Sequence, residues 1–244
     1  MTHFKLLSVA VLSFILFSGC IVIDLNGCGF KTVKGSGKVV AETRQISDFD
    51  QIKLEGEGKV IITKGKKQSL VVKTDDNILP HIDTMIRNRK LTISHENINL
   101  RPTTLSLLIT LSDLKGTSIT GSGDIKGNSR FVAENFYAEI SGSGSIDLEL
   151  ETTRLESEIS GSGSIYLSGQ TDHHRARITG SGKIYAFDMH ARIASVSIIG
   201  SGDCLLTASD QLNAKITGSG DALYRGHPRI DKTITGSGDI INQN

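Results

Sequence analysis

The chain has 244 residues, a formal net charge of +1, 22% charged and 38% hydrophobic residues, and 26 glycines. The near-zero charge excludes a nucleic-acid binder working by bulk positive charge, and the balanced apolar content excludes a disordered chain. Glycine, at about 11% against a usual ~7%, lacks the every-third-residue period of collagen, and three cysteines are too few for a disulfide scaffold.

Residues 1–19 read as a targeting segment. Lys5 precedes the apolar run Leu6 to Phe17, which suits a signal-peptide core and is short of the ~20 residues of a membrane span. The run ends in Phe17-Ser18-Gly19-Cys20, which resembles the bacterial lipobox, in which a cysteine becomes the acylated N-terminus. The resemblance departs at Phe17, where leucine is usual. A second box, Leu25-Asn26-Gly27-Cys28, would place Asp24 inside the apolar run, so Cys20 is the expected lipidation site. An ordinary secretory signal with Cys20 incidental is the alternative. Ile21, rather than aspartate, follows Cys20, which points to the outer membrane if the source has two. The expected partner at this end is a lipid bilayer, held firmly because several acyl chains anchor far better than one.

Residues 20–45 are expected to form the anchor segment and a first coil, with Gly35-Ser36-Gly37 as the first copy of a repeated tripeptide. From residue 46 to about 120 the pattern reads as strands: Lys59–Thr63, Leu70–Lys73, Lys90–Ile93 and Leu105–Ile109. Turn signals separate them, Lys64 to Lys67 and Arg87-Asn88-Arg89 among them. Gly56-Glu57-Gly58 is a variant of the tripeptide, and the 65 residues from Gly56 to Gly121 have the length of about three coils.

The C-terminal half is an array. Gly-Ser-Gly begins at 121, 142, 161, 180, 200, 218 and 236, with spacings of 21, 19, 19, 20, 18 and 18. A near-constant period marks stacked repeats. A flexible linker would not keep the flanking columns. Isoleucine stands two residues before each tripeptide, from Ile119 to Ile234, and Ile125, Ile146, Ile165, Ile184, Cys204, Ala222 and Ile240 stand two residues after. Within a repeat the period is two, as in strands with one buried and one wet face. Asp188 to Val196 has some helical character but lies inside a repeat of ordinary length. The expected fold is therefore all-β, a right-handed parallel β-helix-like solenoid with coils of about 19–20 residues, isoleucine ladders inside and Ser/Thr ladders outside. The paired glycines either let opposing walls approach closely or turn the chain with positive φ. Counting about eight coils between Gly35 and Gly200 puts them roughly 38 Å apart, so Cys28 and Cys204 are not expected to pair.

Phe49 to Gly65, Asp75-Asp76-Asn77-Ile78-Leu79-Pro80-His81-Ile82, Leu91-Thr92-Ile93 and the Gly-Ser-Gly-Asp array, in that order, resemble the putative auto-transporter adhesin, head GIN domain family of bacterial secreted proteins and lipoproteins. The resemblance covers residues 46–240, the expected solenoid domain. It implies a β-helix-like fold and an adhesin-type role, and it brings no catalytic or binding residues with it.

No P-loop, dinucleotide-binding turn, zinc set or nucleophile elbow is present in the sequence. Asp124, Asp203, Asp221 and Asp239 follow the tripeptide, but Ser145, Ser164 and Lys183 take the matching places, so a calcium ladder is not expected. His173 and His174 are adjacent and point to opposite strand faces, so they are not expected to share a metal. No cofactor is expected. Arg175, Arg177, Lys183, Asp203 and Lys215 are candidates for one outer face, as in β-helix enzymes acting on acidic polysaccharides. Salt-bridged solvation is the simpler account. The leading functional expectation is a non-catalytic, lipid-anchored cell-envelope protein whose polar wall meets a glycan or a protein. A structural or envelope-stress component and a polysaccharide-acting enzyme are the alternatives.

Overall fold

The computed structural model describes residues 32–95 and 99–244. The expected signal segment, Cys20 and Cys28 lie outside the described residues.

The repeat half forms long strands that bend at each Gly-Ser-Gly. They are β10 (Gly116–Gly121), β11 (Asp124–Gly142), β12 (Ser145–Gly161), β13 (Ser164–Gly180), β14 (Lys183–Gly200) and β15 (Asp203–Gly218). After them come β16 (Ala222–Arg225), β17 (Arg229–Gly236) and β18 (Ile240–Asn242). Each pairs in parallel with the same stretch of the next repeat, giving a β-solenoid of about 7 turns. The segment 188–196 is strand throughout.

The register stacks like on like. Ile119, Ile140, Ile159, Ile178, Ile198 and Ile216 form one interior column. Ile125, Ile146, Ile165, Ile184 and Cys204 form the other. All are at most 1% exposed. These ladders belong to one continuous apolar core whose burial holds the coils together. Cys204 fills an isoleucine place as a small hydrophobe, and burial pushes its thiol up to about 12, with the Asp203 charge adding to the shift. In the last coil Ile234 and Ile240 are only half-buried. Lys232 stands there in register with buried Ala214, a charge in an inward column of the kind that discourages a further strand from adding.

The positive-φ reason holds for the first glycine, and the close approach at both is between stacked coils rather than between opposing walls. The first glycine of a tripeptide has positive φ, +129° at Gly161. The second has no room: a Cβ on Gly163 would lie 2.7 Å from the Gly144 carbonyl oxygen and 2.7 Å from Ile140 Cγ2.

The blurred segment departs from expectation. It contains β3 (Gln51–Gly56), β4 (Lys59–Lys64), β5 (Ser69–Asp75), β6 (Ile82–Arg87), β7 (Lys90–His95), β8 (Asn99–Arg101) and β9 (Leu105–Leu111). β10 pairs directly with β3, with Gly121 opposite Gly56. These two glycines are therefore one coil apart, not three. The intervening residues pass to the other side of the first coil, where β7 stacks on β3 and β9 on β4. There the chain reverses. β6 is antiparallel to β7 and β5 is antiparallel to β9, so residues are spent closing the solenoid end rather than extending it. The reversal is a two-residue hairpin at Asn88 (φ 50°) and Arg89 (φ 59°), the double positive-φ turn that suits strand twist. Asp50 fastens it. Its buried carboxylate meets Arg89 Nε at 3.0 Å and Lys115 Nζ at 2.9 Å. Burial raises the Asp50 pKa, but the hydrogen bonds and charges of Lys115 and Arg89 outweigh it and hold the carboxyl below its ordinary range.

Gly35-Ser36-Gly37 is not a member of the glycine column. It lies between β1 (Thr32–Lys34) and β2 (Val39–Thr43). β2 pairs antiparallel with β5. The tripeptide is held by side chains: Gly37 N–H donates to Asp75 Oδ1 at 2.8 Å, Ser36 Oγ to Asp76 Oδ1 at 2.6 Å, and Ser36 N–H to Asn77 Oδ1 at 2.9 Å. The coil count from Gly35 therefore fails. The column runs from Gly56 through Gly121, Gly142, Gly161 and Gly180 to Gly200. Those steps amount to about 24 Å at ~4.8 Å each, and the distance argument against a Cys28–Cys204 bond loses its basis.

Candidate functional site

The sequence-predicted residues separate in space. Arg177 is in register with Ser197, and Ser197 with Lys215, on the wall before the glycine corner. Lys183 and Asp203 lie on the wall beyond it, joined by a 2.8 Å ion pair. The five are not one site. The aspartates after the tripeptide are engaged locally. Asp203 Oδ1 accepts from Asp221 N–H at 3.2 Å, and Asp221 Oδ1 from Asp239 N–H at 2.8 Å. Ser145 Oγ donates to Asp124 Oδ1 at 2.5 Å. Among the described residues no three side chains of metal-ligating type converge. His173 is exposed and His174 is buried, as strand alternation requires. His174 Nε2 lies 2.8 Å from Ser157 Oγ, and burial pushes its pKa down to about 4.

A long concavity crosses the coils between one glycine corner and the next. Six coils build it, five with a triplet each and the last with a pair. The triplets are Val132-Ala133-Glu134, Glu151-Thr152-Thr153, Gln170-Thr171-Asp172, His190-Ala191-Arg192 and Thr207-Ala208-Ser209, and the pair is Gly226-His227. The middle residues form the floor. Ala133, Thr152, Thr171, Ala191 and Ala208 are in register, and Gly226 continues them, since a Cβ there would lie 2.1 Å from the Ala208 carbonyl oxygen. Small residues at this one column sink the surface into an open trough of about 900 Å³. At ~4.8 Å per coil it is about 24 Å long.

The flanking residues point outward and form two walls. One wall runs Val132, Glu151, Gln170, His190, Thr207. The other carries Glu134, Thr153, Asp172, Arg192, Ser209 and His227. Exposed ion pairs tie several of them to residues outside: Glu151 to Arg130 at 2.6 Å, Glu134 to Arg154 at 2.8 Å and Arg192 to Asp210 at 3.2 Å. Thr152 Oγ1 donates to Thr171 Oγ1 at 3.0 Å along the floor. The chemistry on offer is a row of hydroxyl, amide, imidazole and charged groups on a rigid sheet, suited to holding an extended molecule lengthwise.

A second surface feature lies on the wall beyond the glycine corner. Tyr166 and Tyr185 stack with ring centroids 4.7 Å apart and 3° between planes. Their outward column continues through Leu205, Leu223 and Ile241.

Comparison with known proteins agrees with this architecture. The model of the family described as putative auto-transporter adhesin, head GIN domain matches residues 48–228. No curated protein matches the chain. Among solved structures, a putative adhesin from Bacteroides fragilis NCTC 9343 is 25% identical, with a TM-score of 0.83 over 86% of this chain and 100% of that one. A putative lipid binding protein from Parabacteroides distasonis ATCC 8503 is 26% identical, with a TM-score of 0.73 over 88% and 100%. A putative adhesin from Parabacteroides merdae ATCC 43184, at 24% identity and a TM-score of 0.71 over 88% and 100%, shares the fold.

Proposed function

The chain belongs to the putative auto-transporter adhesin, head GIN domain family, and from that premise we propose that it is a non-catalytic binding protein of the bacterial cell envelope. It is anchored in a lipid bilayer, the outer one where there are two, through acylated Cys20, and it holds a partner in the trough. The observation that carries the binding role is the trough itself. Its in-register floor of small residues and its outward polar walls are set on strands that need no ordering when a partner arrives, which lowers the entropic cost of binding. The names of the related adhesin and lipid-binding proteins support binding rather than turnover. The anchoring rests on the apolar run ending at Ser18-Gly19-Cys20.

Metabolic labelling with a fatty-acid analogue tests the anchor. The wild-type chain takes the label and Cys20→Ala does not; loss of label in Cys28→Ala instead moves the anchor, and label in neither form removes it. Protease shaving of intact cells tests the address. Cleavage without lysis supports an exterior role, and protection until the outer membrane is opened assigns the partner to the periplasm.

A further inference from the structure

The trough walls change sign along the solenoid axis. The first three coils contribute the carboxylates Glu134, Glu151 and Asp172. The last three contribute no carboxylate and one cation, Arg192, beside the imidazoles of His190 and His227. Arg225, in register with Thr207, lies just beyond, its guanidinium 4.1 Å from the Phe187 ring centroid. Arg130 and Arg154 offset part of the acidic half, and Asp210 offsets Arg192. Asp172 makes no ion pair among the described residues, so the acidic half keeps an uncompensated carboxylate. Arg225, likewise without an ion pair among them, leaves the other half cationic. The existing pairs are exposed and individually weak, so a ligand can exchange with them at little cost.

The two charges without an ion pair, Asp172 on β13 and Arg225 on β16, stand three coils apart, about 14 Å at ~4.8 Å per coil. That exceeds the Debye length of ~8 Å at physiological ionic strength. These two charges therefore act on a ligand separately. A neutral glycan uses neither half. A uronate polymer gains at one half and is repelled at the other. An extended peptide rises ~3.3 Å per residue, so about seven residues fill the trough and opposite charges some four residues apart reach both halves.

Resting on the reading of the trough as the binding site, we propose that its ligand is an extended peptide segment of mixed charge, laid lengthwise with its cationic end over Glu134, Glu151 and Asp172 and its anionic end over Arg192 and Arg225. Opposed charge at both ends gives orientation and rejects ligands of a single sign.

The test uses the purified chain and fluorescently labelled probes of matched length in polarisation titrations. They are an eight-residue peptide with two lysines at one end and two glutamates at the other, an all-lysine, an all-glutamate and a serine/threonine peptide, a neutral glucan oligomer and a uronate oligomer. The mixed-charge peptide is expected to bind at least about tenfold more tightly than every other probe, with preference falling as salt rises. Asp172→Lys, at an exposed position, is expected to reverse the preference toward the all-glutamate peptide. Equal or tighter binding of either glycan, equal binding of a single-sign peptide, or binding of no probe overturns the proposal. Gln170→Trp with Ser209→Trp, both on exposed wall positions, fills the trough. If a glycan is the best probe and the filled trough loses it, the peptide assignment alone fails. If the filled trough binds every probe as before, the trough reading fails as well.

Discussion

His174 makes the stability of this solenoid depend on pH between 6.5 and about 4. The residue occupies an interior column between Leu155 and Ala194, and its hydrogen-bond partner Ser157 occupies another between Ala138 and Ala176. Each is the polar exception among apolar neighbours, and each satisfies the other at 2.8 Å. Burial lowers the imidazole pKa from 6.5 to about 4. The folded state therefore holds His174 neutral while the unfolded chain takes up a proton below pH 6.5. Stability is complete above pH 6.5 and falls as pH drops toward 4. The full difference is on the order of 3 kcal/mol, and about 2 kcal/mol of it is lost by pH 5. Asp50, whose pKa is lowered from 3.8, keeps its contribution throughout this window and loses it only at more acid pH. Urea melts at pH 7.5 and 5.0 measure the loss. The double variant His174→Leu/Ser157→Ala, which gives each column the residue type of its neighbours, is expected to shed that part of the pH dependence. An equal loss in wild type and double variant would refute the assignment.

Ile159→Ala removes a fully buried ladder residue and is expected to cost about 2–5 kcal/mol, against about 0.5 kcal/mol or less for the exposed neighbours Glu158→Ala and Arg177→Ala, as read from denaturant midpoints. Gly161→Ala combines positive φ with a Cβ 2.4 Å from the Gly142 carbonyl oxygen, so it is expected to cost about 3 kcal/mol or more. Gly37→Ala has positive φ but nothing within 4 Å, and thermal melts should show a cost of only about 1 kcal/mol. Asp50→Asn leaves Arg89 and Lys115 without their shared carboxylate. It is expected to raise hydrogen exchange first in the hairpin around Asn88, with the Gly-Ser-Gly coils unchanged.

The array was legible because stacking repeats the same environment at the same place. Ile140 to Ile216 and the first glycines of the tripeptides from Gly121 to Gly218 meet identical neighbours above and below, so sequence period and axial step coincide. The solenoid end was not legible for the opposite reason. Counting residues measures contour length, and the hairpin at Asn88-Arg89 turns contour back on itself. The turn was visible in Arg87-Asn88-Arg89, but strand β6 beside it was not, and Gly35-Ser36-Gly37 imitates the repeat while sitting against Asp75, Asp76 and Asn77. The trough was hidden by irregular spacing. Its floor lies 12 residues after Gly121 but 8 after Gly200 and Gly218. Register shifts between Lys126 and Arg130, Tyr166 and Gly169, and Ala186 and His190 absorb the difference. The available signal was a small residue flanked by outward residues, as in Gln170-Thr171-Asp172 and His190-Ala191-Arg192. Its flanks share no chemistry from coil to coil, so it does not emerge until the coils are aligned in space.

The most direct test of the trough as the binding surface is site-specific photo-crosslinking in living cells. A benzophenone amino acid placed at Thr153, Gln170 or Ser209 samples the trough walls. The same group at Glu158 or Arg177 samples the wall before the glycine corner, and at Tyr166 the aromatic column beyond it. Crosslinked products from the three trough positions, and none from the other three, are the predicted result. Products from Tyr166 or from the Glu158 and Arg177 wall, with none from the trough, would contradict it.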